Sequence, residues 1–413
     1  MVFSNDKRTG TVNSTNSFRE GIQIMSQTLV KEKDVVVYSN PGSYSHNAVV
    51  ELVDDDEMLC VVQEQKRRKY RTHSDPTSTC ILLRSKDGGN TWDPKTKTLV
   101  VESENEAIND PAIKRLRDGT LIVTYFKWMS GGDDEVPTGK ESPNPDILRT
   151  LDGEHYTWRT GSYTIRSTDN GKSWEEPVYV PSPTGKETGV SDPVIQLPND
   201  DLLIPLYGAF PGEQHRVTIM RSKDGGKSWG DAVTAAFDPF GQMSFEEPAL
   251  LYLPSGKIIC MIRIHRVTEQ EYGYYLYQTD SYDLGKTWST PVKTPIWGHP
   301  PHMVHLDSGK ILLVYGYRRA PFGIRACLSH DEGQTWDIEN ELILRADGID
   351  RDLGYPTSVQ FSDGRIFTVW YMTKKDEQGL SDVADMGTLG NQLEFFHHPS
   401  PLAYIGGSFY REI

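Results

Sequence analysis

The sequence predicts an all-β chain folded as a six-bladed β-propeller. Three observations predict it: an octapeptide that recurs five times, a hairpin register that recurs six times, and turn residues every ten or so positions in a chain with few helical stretches.

The octapeptide reads Ser-x-Asp-x-Gly-x-Thr/Ser-Trp. Its copies are SKDGGNTW (Ser85–Trp92), STDNGKSW (Ser167–Trp174), SKDGGKSW (Ser222–Trp229), SYDLGKTW (Ser281–Trp288) and SHDEGQTW (Ser329–Trp336). Each follows a short apolar run, as a hairpin turn does. The Asp-x-Gly centre supplies the tight bend, the Ser and Asp side chains can bond nearby amides, and the Trp can pack back between sheets.

The second repeat is a register. Pro111, Pro193, Pro248, Pro301 and Pro356 each begin an apolar run, and a turn residue follows eight positions on: Gly119, Asp201, Gly256, Gly309 and Gly364. A second apolar run follows each turn, from TLIVTYF to RIFTVWY, and Ala48 with Asp56 fits the same frame. Six hairpins result, each able to form the two inner strands of a blade. The repeat starts lie 53 to 82 residues apart, room for about four short strands, which is the size of a propeller blade. The octapeptides fall late in the first five units, where the outer strand pair turns. The sixth unit has none and is finished by LEFFHHP and PLAYIG, with DVVVYS (Asp34–Ser39) as a closing strand from the N-terminal side. The propeller thus spans residues 34–413, and residues 1–33 read as a tail. The long second unit carries an insertion, Lys127 to Tyr163, whose Gly, Pro and charge content predicts a loop.

Lysine plus arginine number 43 and aspartate plus glutamate 58, a formal net charge of −15. That balance excludes nucleic acid and anionic membrane as main partners. No apolar run approaches a membrane span, and the N-terminus shows no apolar signal core, so a cytoplasmic location is expected. Cys60, Cys80, Cys260 and Cys327 sit in apolar runs without zinc spacing and read as buried free thiols. No metal or cofactor is implied. The one near-cluster of histidines, His299, His302 and His305, has no ligand spacing, and His302 is instead a candidate substrate contact.

Propellers gather a funnel at one end of the central channel. The residue before each repeat start sits at one end of its inner strand: Asn47, Asp110, Asp192, Glu247, Pro300 and Tyr355. Folding each hairpin about its turn brings second-strand residues back to that end. This places Arg263 beside Glu247, Glu64 near Asn47, Lys127 near Asp110, Tyr317 and Arg318 near Pro300, and Tyr371 near Tyr355. A carboxylate beside a guanidinium, with a tyrosine on the same ring, is a cluster with chemical use.

The octapeptide is the Asp box, and from about residue 35 onward the chain resembles the sialidase superfamily. FEEPALLYLPSGKIICMIR is similar to the segment that carries a catalytic glutamate and a carboxylate-binding arginine, which implies Glu247 and Arg263. GYPTSVQFSDGRIFTVWY resembles the segment of the nucleophilic tyrosine, which implies Tyr355. The loop KRRKYRTHSDPTSTCILLRS resembles the one bearing the acid/base aspartate, which implies Asp75. The resemblance implies a retaining glycosidase with a tyrosine nucleophile, since a substrate carboxylate at the anomeric carbon repels an anionic one. A phenol with a pKa near ~10 then needs a base beside it, and Glu247 is that base.

Two departures point to a changed substrate. Where the family has its first carboxylate-binding arginine, this chain has Ser45 or His46, and the glutamate that orients it is replaced by Trp370 and Tyr371. The third arginine is one of Arg318, Arg319 and Arg325. The remaining candidate sugar contacts are His46, Asp110, Asp192, His302 and Tyr371. The function expected is an exo-acting, retaining glycoside hydrolase releasing a terminal, acidic, sialic-acid-like sugar from a carbohydrate partner. Two alternatives stand beside it. One is a two-carboxylate exo-glycosidase on a non-sialic sugar, drawing its pair from Asp75, Asp110, Asp192 and Glu247. The other is a non-catalytic carbohydrate-binding propeller.

Overall fold

A computed structural model describes residues 28–67, 72–132, 134–135, 147–149, 156–266, 275–374 and 401–413. Its strands group into six antiparallel sheets. The first blade holds β2 (Ser43–Leu52), β3 (Met58–Lys66), β4 (Thr79–Ser85) and β5 (Thr98–Val101). The second holds β6 (Glu106–Arg115), β7 (Leu121–Gly131), β8 (Ile147–Arg149), β9 (Tyr156–Ser167) and β10 (Val178–Val180). The third holds β11 (Ile195–Gln196), β12 (Leu202–Gly208), β13 (Arg216–Ser222) and β14 (Gly230–Ala236). The fourth holds β15 (Met243–Tyr252), β16 (Ile258–Arg266), β17 (Tyr275–Ser281) and β18 (Val292–Trp297). The fifth holds β19 (Pro301–His305), β20 (Ile311–Tyr317), β21 (Phe322–Ser329) and β22 (Asp337–Gly348). The sixth holds β23 (Leu353–Gln360), β24 (Arg365–Lys374), β25 (Leu402–Glu412) and, on its outer edge, β1 (Leu29–Tyr38). The six-bladed propeller is therefore the fold.

Both faces of a blade are covered by neighbours, so the core lies between sheets. Val49, Leu59, Val61 and Leu82 of the first blade pack against Ile113, Leu121, Val123 and Ile165 of the second. The Asp boxes add wedges. In each box the Ser hydroxyl and the Asp carboxylate close the turn; in the third, Ser222 Oγ donates to Asp224 Oδ1 at 2.8 Å and accepts the Gly226 amide at 2.8 Å. Gly226 sits at φ +85°, and a Cβ there would come within 2.7 Å of Ile122 in the preceding blade. Only glycine allows that approach. The indole of Trp229 then reaches back to Thr164 Oγ1 of the second blade, at 3.1 Å. Trp92, Trp229 and Trp336 are buried, whereas Trp174 and Trp288 are only partly so.

Three expectations change. The closing strand starts at Leu29, inside the stretch read as tail, because LVKEKDVVVY pairs along its whole length with β25. The span Lys127–Tyr163 is not all loop: β7 runs on to Gly131 and β9 begins at Tyr156, because YTWRT alternates in the two-residue period of a strand. The inner strand of the third blade shrinks to Ile195–Gln196 plus a bridge from Gly189 to Tyr207. There Asp192 turns its carboxylate to the Leu250 amide of the next blade, at 3.3 Å, instead of joining a ladder. The LEFFHHP stretch and residues 1–27 lie outside the described residues.

Candidate active site

Four of the six ring positions share one backbone device. Asn47, Asp110, Glu247 and Tyr355 have φ of +45°, +48°, +44° and +45°, and each coincides with a register shift in its inner hairpin. A bulge re-aims the side chain from the face of the sheet into the central channel. Left-handed backbone is tolerable for Asn and Asp and costly for Glu and Tyr, so the surrounding structure must hold it. Around the channel Asn47, Asp110, Asp192, Glu247 and Tyr355 converge.

At the funnel end the Tyr355 hydroxyl donates to Glu247 Oε1 at 2.6 Å, and Arg263 Nη1 donates to the same oxygen at 2.6 Å. Glu247 Oε2 is buried and has no hydrogen-bond partner among the described residues. Burial, and then the charges of Asp110 and Glu247, hold the Tyr355 phenol well above its ordinary pKa, so it is neutral until a base takes its proton. Asp110 accepts from Ser191 Oγ at 2.6 Å and from Asn47 Nδ2. Burial and the Glu247 charge push its carboxyl up to about 7.

A cleft of about 220 Å³ opens over this group. Its walls bring Arg159, Arg263, Arg318 and Arg351 together with Glu246, Asp352, His73 and Tyr207. Arg318 is the arginine of its segment that reaches the cleft, its Nε donating to Leu353 O at 3.0 Å. Arg319 is exposed and stacks on Trp297, with Cζ 3.7 Å from the ring centre. Arg325 is bound to Glu341 on the neighbouring strand β22 and covers Tyr317. Neither is among the residues that line the cleft. Arg159 comes from the start of β9, lies 4.6 Å over the Tyr207 ring, and reaches His215 Nε2 at 3.4 Å. His215 in turn meets Glu246 Oε1 at 3.2 Å. Burial opposes the Glu246 charge, but the His215 hydrogen bond and the charges of His215 and Arg263 hold it below the usual carboxylate range.

Other expected positions fall elsewhere. Asp192 is deeper in the channel, and burial pushes its carboxyl up. His302 lines the opening at the opposite end, beside Glu51 and Lys114, where its Nδ1 accepts the Ser358 amide at 3.3 Å. It is not at the funnel, because β19 carries it past Pro301 toward the far rim. Glu64 bonds Tyr38 at 2.6 Å and Lys97 at 2.9 Å, facing away from Asn47; Gln63 takes the inner position and accepts the Asp110 amide at 2.9 Å. Lys127 pairs with Glu106 at 2.9 Å instead of Asp110. In both cases the bulge shifts the register by one residue, which reverses the side chains.

Where the family arginine is replaced, an aromatic and imidazole cluster stands. His46 is fully buried, stacked at 4.8 Å on His73 and tilted against Tyr371 at 5.8 Å. Burial, and then the charge of His73, lower its pKa to about 3, so it is neutral. Asp352 is the hub: it accepts from Tyr371 at 3.0 Å and from Tyr44, and lies 3.3 Å from His73 Nε2. Asp75 is not among the residues that line the cleft. It is 5% exposed, and its Oδ1 accepts the Thr77 amide at 2.9 Å and the Thr77 hydroxyl at 2.6 Å, an Asx turn within its own loop. His73 is the residue by which that loop lines the cleft among the described residues.

A family model described as a BNR repeat-like domain matches residues 147–368. The chain belongs to this family. It is thereby a member of the sialidase superfamily. A sialidase of Bacteroides fragilis (strain YCH46) is 22% identical to it over 296 residues, 64% of this chain and 49% of the relative. The chain spans about half the length of that curated relative. Among solved structures, a protein of unknown function from Dyadobacter fermentans DSM 18053 matches with a TM-score of 0.75 and 26% identity, over 94% of this chain and 100% of that one. An α-L-arabinanase of Penicillium chrysogenum, complexed with arabinobiose, matches with a TM-score of 0.59 and 14% identity, over 92% and 98% of the two chains. The last is a likeness of fold.

Proposed function

We propose that this BNR-family chain is a retaining exo-glycosidase that releases a terminal acidic sugar. The observation that carries the proposal is the hydrogen bond from Tyr355 to Glu247, with Arg263 on the same carboxylate oxygen. Glu247 takes the phenol proton as the Tyr355 oxygen attacks the anomeric carbon, and Arg263 keeps the carboxylate in line. A neutral phenol suits a substrate whose own carboxylate adjoins that carbon. The arginines of the cleft supply guanidinium partners for that carboxylate, although the position of Ser45 and His46 has none. The sialidase relative supports the same reading.

The test is a panel of 4-nitrophenyl glycosides that includes the α-sialoside and the uronides. We expect turnover of an acidic member with retained configuration. Tyr355→Phe should lower kcat at least ~10³-fold and abolish the covalent intermediate, with the melting temperature unchanged. Failure of the wild type on every acidic glycoside overturns the proposal.

A second reading has one specific observation behind it. Asp110, with its pKa near neutrality, and Glu247 form a carboxyl pair in one channel, as a two-carboxylate glycosidase on a neutral sugar requires. The arabinanase neighbour fits that reading. Near-normal turnover by Tyr355→Phe on a pentoside favours it.

A further inference from the structure

The reading just given lacks a group that gives a proton to the leaving oxygen. Asp75, which the family resemblance assigns, is not among the residues lining the cleft, and its Oδ1 accepts from Thr77. His73, two residues earlier, is placed differently. Its carbonyl accepts from Gln63 Nε2 at 3.1 Å and Asn109 Nδ2 at 3.0 Å, so the backbone is pinned by side chains of two blades. Its ring is stacked on His46 and is 37% exposed at the cleft. Nε2 faces Asp352 Oδ1 at 3.3 Å and the Tyr44 hydroxyl at 3.1 Å. Asp352 is wholly buried and is itself oriented by Tyr44 and Tyr371. Nδ1 carries no hydrogen bond to the described residues.

This is a histidine–carboxylate dyad with one nitrogen anchored and the other left for a ligand. The anchored nitrogen fixes the ring plane and stabilises the imidazolium, and the second nitrogen can hold or release a proton. Two facts make the dyad more than packing. A buried carboxylate is costly without a cationic or donor partner, and this one is aimed at a ring that reaches solvent. The ring also shares its cleft with Tyr355, Glu247 and Arg263.

We propose that His73, oriented by Asp352, is the acid/base residue of this site, in place of Asp75. The proposal rests on the glycosidase reading above. In the first step Nδ1–H of the imidazolium gives its proton to the glycosidic oxygen. The C–O bond breaks with its electron pair going to that oxygen, and Tyr355 Oη bonds the anomeric carbon while Glu247 takes the phenol proton. In the second step neutral Nδ1 takes a proton from water and the water oxygen bonds the anomeric carbon. The tyrosyl–carbon bond breaks, and Glu247 returns the proton to Tyr355. Asp352 touches no substrate atom and is a positioning residue.

The test uses the full chain and two substrates of one sugar, the 4-nitrophenyl glycoside that the wild type cleaves and its methyl counterpart. His73→Gln should lower kcat/KM on the methyl glycoside at least ~10²-fold and much less on the 4-nitrophenyl glycoside, whose leaving group needs little protonation. Azide should restore turnover of the 4-nitrophenyl substrate in His73→Gln and yield a glycosyl azide. Asp352→Asn should show the same leaving-group dependence in weaker form. Equal losses on both substrates overturn the proposal, as does the leaving-group dependence and azide rescue appearing in Asp75→Asn instead. A wild type that cleaves neither substrate overturns the glycosidase reading itself. His73→Ala with added imidazole serves if His73→Gln does not fold, and failure of imidazole to raise turnover counts against the role.

Discussion

The outer rim and the inner ring of this propeller are both built from repeats, five Asp boxes and six inner hairpins, but by opposite rules. On the rim, the Asp boxes repeat their chemistry: every box Asp accepts from its own turn, as Asp283 does from Thr287 Oγ1 at 2.7 Å and the Thr287 amide at 2.9 Å. Those local bonds hold Asp224 and Asp283 down at a pKa of about 2 even though both are largely solvated. On the ring the backbone device repeats while the residue changes: Asn, Asp, Glu and Tyr occupy the same left-handed bulge. There the polar atoms are buried, and some, such as Glu247 Oε2 and Asn47 Oδ1, have no hydrogen-bond partner among the described residues. Local satisfaction gives the rim stability, whereas the ring keeps buried polar groups that its own turns do not satisfy.

The sharpest way to break that comparison is to exchange the effects of the two regions. Glu247→Gln keeps the shape of the bulge and removes the base, so we expect kcat to fall about 10²–10⁴-fold with little change in melting temperature. Steady-state kinetics beside a thermal melt reads both. Trp336→Ala should do the reverse. Its indole is 7% exposed and donates to Gln278 Oε1 at 3.1 Å across the blade boundary, and its loss should cost roughly 3–5 kcal/mol in denaturant unfolding. Activity per folded molecule should be kept, and a drop in turnover without loss of stability would contradict the division of labour.

The smallest effect sharpens the comparison through pH. Asp110 binds its proton to about pH 7 in the folded chain, against an ordinary value of 3.8, because burial and Glu247 disfavour its charge. A folded pKa raised this way gives stability that is complete below about pH 4 and is lost as pH rises to about 7, then levels off. Asp110→Asn has no such proton to lose. Between pH 4 and 7 its stability relative to wild type should therefore climb, by roughly 2–4 kcal/mol from end to end. Parallel urea titrations at several pH values would show a flat difference if Asp110 ionises normally.

How much of this was legible depended on repetition. The Asp boxes and the hairpin register could be read because the same turn needs the same residues each time, and from them Glu247, Arg263 and Tyr355 fell on one ring. The bulge itself was not legible: no residue type marks it, and Glu and Tyr are poor choices for left-handed backbone. It displaced Glu64 and Lys127 from their expected places by one residue each. Part of the cleft wall comes from segments outside the repeat. Arg159 lies in a span that composition marked as loop, although the alternation in YTWRT was a signal for its strand. Asp352 and Arg351 precede Tyr355 in GIDRDLGYP, where the density of charge just before a ring tyrosine was the available clue. His73 was hidden by its neighbour Asp75, since the loop's resemblance named a carboxylate and only the structure shows that His73 is the residue of the two that lines the cleft.

The seam of the ring has a consequence for how the protein is made. Leu29 pairs with Glu412, and Tyr38 with Ile405, so the last blade takes its outer strand from the opposite end of the chain. A nascent chain emerges in order, and β1 has no partner strand until β25 has left the ribosome. At ~5–20 residues per second, β1 waits on the order of 20–80 s for its partner. For that interval LVKEKDVVVY is an unpaired edge, and its lysines and acids are what keep such an edge from recruiting another chain. The bulged ring is late as well, since Tyr355 and Glu247 come from the sixth and fourth blades and cannot meet before β23 is made. The assembled ring and the closed circle therefore both wait on the last blade.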